Sequence, residues 1–313
     1  EVVQVLKTDG VEIINEATIR HYPFPTEEFI YAWNNEMARW GAKAVTMDVY
    51  LDSLRFRDHL MTYGEAAELL KNDIKIAAAM GFENVRCLCN TPIDVIDRAL
   101  DTAVKYNVRI GKEIHAPFPI KRDAKAEGGT MVTDLLEYVD KKKTNMVGLV
   151  PDMGIFQFKG SRVVLENLER NAKPGSITEF ALKNRDKMSL EEIGQKVNEK
   201  WPKADMFEKM ILRALETKSV ADPEDLREIA PYILSIHGKF NEMTEIPDMP
   251  GHYIDEAFDY ENPIRILKEC GYEGYINSEY EGQRAQQDDG IEGLADEREE
   301  VRRHHEMMAR YIG

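Results

Sequence analysis

Four residues stand where chemistry can be read first. Glu113 ends VRIGKE, Asp152 ends VGLVPD, His237 ends ILSIH and Glu279 ends YINSE, each closing an apolar, strand-like run. A charged side chain in such a run is costly to bury unless it is paired or holds a metal. Three carboxylates and an imidazole aimed into one place would repel each other without a cation. Their oxygen and nitrogen donors suit Mn²⁺, Mg²⁺, Co²⁺ or Zn²⁺, with coordination positions left for substrate oxygens. Singly, each residue reads more simply: a strand-end Glu as an ion-pair partner or loop anchor, a His among apolar neighbours as a satisfied core residue. The set in this order points to one divalent ion.

Side chains two apart on a strand share a face, so in GKEIHAP both Glu113 and His115 face the same way while Ile114 turns outward. His115 lies just beyond the ligand layer, where a general base could meet a metal-bound substrate. The simpler alternative is a histidine that only orients Glu113. Lys239 shares a face with His237, and Glu281 with Glu279; each is a candidate substrate contact or a solvated rim charge.

These residues need elements to position them. VEIIN (11–15) follows Gly10, and a helical stretch from Glu27 to Arg39 leads through Gly41 to KAVTMDVY (43–50). A helix from Tyr63 to Met80, stopped by Gly81, feeds NVRCLC (84–89). A helix capped by Thr91 or Asp94 runs to Lys105 and leads into VRIGKEIH (108–115). Helix 131–142 precedes MVGLVPD (146–152); later come YILSIHGK (232–239), helix 263–270, GYINSEYE (274–281) and a last helix from Asp296 to Tyr311. Strands alternating with helices imply a parallel sheet with helical crossovers. The pattern predicts one α/β domain over 1–313, a (β/α)₈ TIM barrel with all four candidate ligands at the C-terminal ends of its strands. Seven strands are countable. The eighth, which is the first in order, is expected before Glu1, because the opening segment reads as the tail of a first barrel helix.

Two stretches break the rhythm. Residues 158–231 carry helical patterns (VVLENLER, SLEEIGQKVNEKW, DMFEKMILRALE, DPEDLREIA) and no good strand. They form an insertion between the sixth and seventh barrel strands, read either as rim packing or as a lid or subunit-docking surface. Residues 240–262 and 282–295 are rich in Gly, Pro, Asp and Gln and read as long βα-loops, which in barrels build the active face.

Composition removes several function classes. The 313 residues carry a net charge of −16, which argues against a nucleic-acid partner, since phosphate binding needs a basic surface. No apolar run approaches the roughly 18 residues of a membrane helix. Three cysteines without a C-x-x-C are too few for a disulfide framework, so buried free thiols in a reducing cytoplasm are expected.

On these residues the sequence resembles the xylose-isomerase-like barrel superfamily of sugar-phosphate isomerases and epimerases. The resemblance runs from GVEI (10–13) to the last helix, interrupted by 158–231. In its ketose 3-epimerase branch a Glu, Asp, His and Glu hold one Mn²⁺-type ion, and the matching positions are Glu113, Asp152, His237 and Glu279. Within the superfamily the chain is most similar to the large (alpha) subunit of bacterial C-glycoside deglycosidases, through Glu113-x-His115, PDMGIF (151–156) and the helical insertion. That resemblance implies a 3-keto glucoside substrate whose ketone acidifies the C2 proton, and a metal, Mn²⁺ first, that stabilises the enolate. It further implies His115 as the base, β-elimination of the aglycone from C1, and a small beta subunit in a hetero-oligomer. Arg86 and Asn90, near the end of NVRCLC, are candidates for touching sugar hydroxyls. DNA-repair endonucleases of this fold carry a histidine three residues after the strand Asp; here that residue is Ile155 and the chain has only seven histidines, which with the acidic surface argues against the nuclease reading. Two rivals differ in what they predict. A metal-dependent sugar isomerase or epimerase would move protons with Glu113 and Glu279, and a retired barrel serving as an interaction subunit would retain no metal after dialysis against Mn²⁺.

Overall fold

The apolar runs form short parallel strands because each is followed by an amphipathic helix long enough to cross back over the sheet. The computed structural model describes residues 2–51, 59–116, 120, 131–205, 208–215, 221–288 and 290–313. Its strands are β1 (Gly10–Ile14), β2 (Lys43–Val49), β3 (Asn84–Cys87), β4 (Arg109–Ile114), β5 (Val147–Pro151), β6 (Ile236–Phe240), the two-residue β7 (Thr244–Glu245) and β8 (Tyr253–Ile254), and β9 (Ile276–Tyr280). Strands β1 to β5 make one parallel sheet in chain order, β6 pairs with β9, and β7 with β8. The fold is an α/β barrel of the TIM type with a helical insertion after β5. The chain parts into two compact units. One comprises Glu1–Ile155, Ala221–Gly238 and Pro263–Asn277; the other comprises Phe156–Val220, Lys239–Asn262 and Ser278–Gly313.

In the first unit the helices begin and end on legible signals. Thr62 caps helix Tyr63–Ala79 in a reciprocal box with Glu65, Thr26 caps Glu27–Trp40, and Gly41 and Asn107 end their helices in the left-handed region. Helix Ile93–Tyr106 corrects one expectation. Its cap is Pro92, not Thr91 or Asp94. Thr91 lies one residue before the cap position, and Asp94 falls inside the first turn, where its charge meets the positive end of the helix. The run at 232–239 is also shorter as a strand than it reads: residues 230–232 form a 3₁₀ turn and regular pairing starts at Ile236.

The sheet continues past β5 onto that segment. Leu149 bridges Ile233 and Asp152 bridges His237, both in parallel sense, and the Leu234 N–H donates to the Leu149 carbonyl at 2.9 Å. This approach requires Gly148, where a Cβ would collide with the Tyr232 carbonyl and the Leu234 side chain. The Ile236 N–H donates to the Tyr275 carbonyl at 3.0 Å, and the Asn277 amide reaches the Glu12 carboxylate on β1.

Strand period then sorts the side chains. Val45, Met47, Val49, Val85, Cys87, Ile110 and Ile114 are buried hydrophobics, while Thr46, Asp48, Asn84, Arg86, Glu113, Ser235 and His237 alternate with their kind as a buried polar face. A register shift in the β1–β2 ladder matters here: Val11 faces Ala44, but Glu12 faces Thr46, skipping Val45. Without that bulge Glu12 would pair with Val45 on the apolar face, since a one-residue slip exchanges faces.

The second unit has its own core, with Ile177, Ala181, Leu182, Ile193, Val197 and Ile211 buried together. Its helices are Arg162–Asn171, Ile177–Asn184, Leu190–Lys200 and Met210–Leu215; of the DMFEKMILRALE run, residues 206, 207 and 216 lie outside the described residues. The residues expected as bare loops hold the β7–β8 hairpin and 3₁₀ turns at Gly282–Ala285 and Ile291–Gly293. That hairpin is tied to the last helix, Glu297–Ile312: Glu306 accepts from the Tyr253 N–H at 2.9 Å, and Glu300 from the Met243 N–H at 2.7 Å. Among the described residues no helix is long and apolar enough to cross a membrane. All three cysteines are free; Cys87 is buried as expected, but Cys89 is half-buried and Cys270 exposed, because Cys270 ends its helix at the surface.

Candidate metal centre

The polar face of the first unit converges on His237, which is 2 % exposed. Its Nδ1 lies 3.3 Å from Glu113 Oε1, and its Nε2 lies 2.8 Å from Glu12 Oε1 and 3.7 Å from Asp48 Oδ1. Among the described residues two groups of side chains could hold an ion: Glu113, Asp152 and His237, and Glu12, Asp48 and His237, each with one ligand atom per residue within 4.8 Å of the others. Glu113 comes from the end of β4 and Asp152 follows β5, so adjacent strands deliver both. The Asp152 N–H donates to the Ile114 carbonyl at 2.9 Å, which fixes the backbone, and Asp152 Oδ1 accepts the Gly154 N–H at 2.6 Å, which orients the carboxylate.

Arg86 separates the two groups. Its Nε and Nη2 each lie 2.9 Å from an oxygen of Asp48, a two-pronged pair in which the guanidinium already supplies the cation Asp48 needs; Nη1 is 3.8 Å from Glu113 Oε2. In the Glu113, Asp152 and His237 group, Arg86 approaches Glu113 only through Nη1 at 3.8 Å, not as a two-pronged pair. Its donor set, two buried carboxylates and one imidazole, fits a divalent ion.

The electrostatics agree. Burial raises the carboxyl of Glu12 to about 7, with His237 acting the other way. Burial also opposes charge on Asp48 and Glu113, yet His237 and Arg86 hold both below the ordinary carboxylate range. Burial opposes charge on His237 too, but the carboxylates of Glu12, Asp48 and Glu113 lift it well above its ordinary value. Four acids thus surround one imidazole and one guanidinium, and the centre draws a positive charge into itself.

His115 stands beside this group, its Nε2 3.5 Å from Asp152 Oδ2 and its side chain 42 % exposed. Its Nδ1 is 2.7 Å from the Ala116 carbonyl, which can only accept; the hydrogen of the neutral ring is therefore on Nδ1 and the basic nitrogen is Nε2.

The fourth residue from the sequence, Glu279, is in neither group. It belongs to the second unit, where its Oε2 lies 3.8 Å from Lys239 Nζ, and Glu281 lies 3.5 Å from the same amine. Lys239 and Glu281 are thus ion-paired in that unit. Arg86 is taken up by Asp48 and Glu113, and Asn90 lines a cavity of about 170 Å³ with Leu51, Met61, Tyr63, Ala66 and Thr91. Sequence reasoning missed Glu12, Asp48 and Asn277. The signal was present for the first two: both are acids interrupting apolar strands, in VEIIN and VTMDVY.

No protein-family model matches the chain. It is 25% identical over 311 residues to the C-glycoside deglycosidase alpha subunit of Arthrobacter globiformis, covering 97% of this chain and 82% of that one. It is 23% identical over 289 residues to the 3'-dehydrocarminate deglycosidase alpha subunit of a Microbacterium species, covering 87% and 78%. Among solved structures, the IOLI protein with a binding zinc atom superposes at TM-score 0.54 with 13% identity, over 99% of this chain and 90% of that one. A sugar phosphate isomerase/epimerase from Parabacteroides distasonis superposes at 0.54 with 12% identity, over 100% and 87%. By sequence the chain is a relative of C-glycoside deglycosidase alpha subunits, and its fold is that of the xylose-isomerase-like sugar phosphate isomerases and epimerases.

Proposed function

We propose that the protein is a divalent-metal-dependent lyase that cleaves 3-keto C-glycosides, acting as the large subunit of a complex with a smaller partner. The observation that carries this is the pairing of a buried Glu113, Asp152 and His237 group with His115, whose basic nitrogen lies beside Asp152. The relatives' names supply the substrate class and the word subunit. Glu113, Asp152 and His237 would hold the ion, and Glu279 enters as a further ligand from the sequence resemblance alone. A divalent cation there supplies electrophilic stabilisation of negative charge developing on a carbonyl oxygen.

His115 Nε2 takes the C2 proton of the 3-keto sugar. The electron pair left on C2 is shared with the C3 carbonyl as an enolate. Its return forms the C1–C2 double bond and breaks the bond from C1 to the aglycone, which leaves with that bond's electron pair and takes up a proton. No oxidant is consumed, because the ketone is already present in the substrate. Solvent access suits the role: a half-exposed imidazole can return its proton to water between turnovers.

Incubating the Mn²⁺-loaded protein and its partner with a 3-keto C-glucoside tests the reading. Free aglycone with an unsaturated keto sugar is expected. An interconverted sugar with the aglycone still attached would replace the lyase by an isomerase or epimerase using Glu113 and Glu279 as the proton carriers.

A further inference from the structure

His237 has two ring nitrogens, and only one can present a lone pair to an ion when the ring is neutral. Which one is decided by what the other nitrogen bonds to. Glu12 Oε1 lies 2.8 Å from Nε2, within hydrogen-bond range, whereas Asp48 Oδ1 at 3.7 Å is not. Nδ1 faces Glu113 Oε1 at 3.3 Å, on the side of the Glu113 and Asp152 group.

Three features hold Glu12 to this task. The Asn277 side-chain amide donates to its other oxygen, Oε2, so the carboxylate cannot rotate away. The skip in the β1–β2 register turns Glu12 onto the polar face. Arg86 ion-pairs with both oxygens of Asp48, and of the two acids that face Nε2 it is Glu12, not Asp48, that lies within hydrogen-bond range.

We infer that Glu12 is a positioning residue: it accepts the Nε2–H of His237, fixes the ring's tautomer and plane, and so turns Nδ1 toward the ion held with Glu113 and Asp152. It touches neither substrate nor ion. The inference rests on the metal reading proposed above and adds to it a residue from β1, which the four-ligand pattern does not contain.

The test measures ion affinity, not turnover. Metal-stripped full-length protein and its Glu12→Leu, Glu12→Gln and Asn277→Leu variants are titrated with Mn²⁺ by calorimetry, with circular dichroism and metal-free melting recorded for each. Glu12→Leu should weaken Mn²⁺ binding about 10–100-fold, the usual effect of removing a histidine's outer partner. Glu12→Gln keeps an oxygen that accepts from Nε2–H and should recover most of the loss. Asn277→Leu leaves Glu12 in place but unclamped, and should weaken binding by a smaller factor; it carries the test if Glu12→Leu does not fold. Wild-type affinity in Glu12→Leu, or in Asn277→Leu when that variant stands in, overturns the inference. A Glu12→Gln as weak as Glu12→Leu also overturns it, leaving only the lost charge as explanation. Failure of the wild type to bind Mn²⁺ at all is distinguishable from these and sinks the metal reading itself.

Discussion

The Ala116 carbonyl that receives the His115 Nδ1–H does for this ring what Glu12 does for His237, but with the opposite nitrogen left basic. His115 Nε2 is the group assigned to C2, and the side chain contributes no atom to either ion-holding group. His115→Ala should therefore lower the elimination rate by about 10²–10⁴-fold, the range for a positioned general base, while Mn²⁺ content by elemental analysis stays at the wild-type level. Full lyase activity in that variant would remove His115 from the mechanism and return the proton transfer to Glu113. The pairing of Glu113 with His115 was legible because two residues at strand spacing share a face. Glu12 and Asp48 carry the same local signal, an acid interrupting an apolar strand, but their partnership with His237 spans 225 and 189 positions of chain, and that pairing no local pattern encodes.

Elements show a similar division between local and long-range information. Strands and helices of the first unit were readable because their starts and stops are chemical, as in the Thr62 and Glu65 box. Helix Ile177–Asn184 went unread although Ser176 accepts from the Glu179 N–H; eight residues give too few turns for a periodic stripe to stand out. One contact between elements was beyond sequence altogether. Helix Tyr63–Ala79 buries Asp73 against the chain leaving β1, where Tyr22 Oη donates to it at 2.9 Å and Asn15 Nδ2 at 3.3 Å. Burial raises the Asp73 carboxyl to about 7, against the hydrogen bonds from Tyr22 and Asn15. An acid whose folded value exceeds its unfolded value of about 4 binds its proton more tightly in the native state. Its contribution is fully present below pH 4 and is lost as pH rises to about 7, by up to about tenfold in the folding equilibrium per pH unit. Asp73→Asn cannot ionise, so the ratio of its folding constant to that of the wild type should climb between pH 4 and 7 and level off above. Urea unfolding across that range checks this; a constant ratio would mean Asp73 keeps its charge in the folded protein.

For the molecule as a whole, the division into two units with separate cores matters more than strand count. The helices after β5 bury Ile193 and Val197 among their own apolar neighbours, so they need not borrow a core from the first unit's sheet. Glu113, Asp152, His237 and Glu12 all belong to the first unit, although they arrive from two separate stretches of chain, Glu1–Ile155 and Ala221–Gly238. An ion bound there stabilises only states in which those stretches are assembled, by about 2.7 kcal/mol when it stands at 100 times its dissociation constant. Hydrogen exchange with and without saturating Mn²⁺ should show where that free energy goes. Amides of β1, β4, β5 and the Ile236–Gly238 end of β6 should exchange more slowly with the ion, and EDTA should reverse the effect. Uniform slowing over Ile177–Val197 and the first-unit strands alike would show one cooperative unit. Slowing confined to Ile177–Val197 would place the ion elsewhere, and the acids gathered around His237 would then need the imidazolium and Arg86 as their only counter-charges.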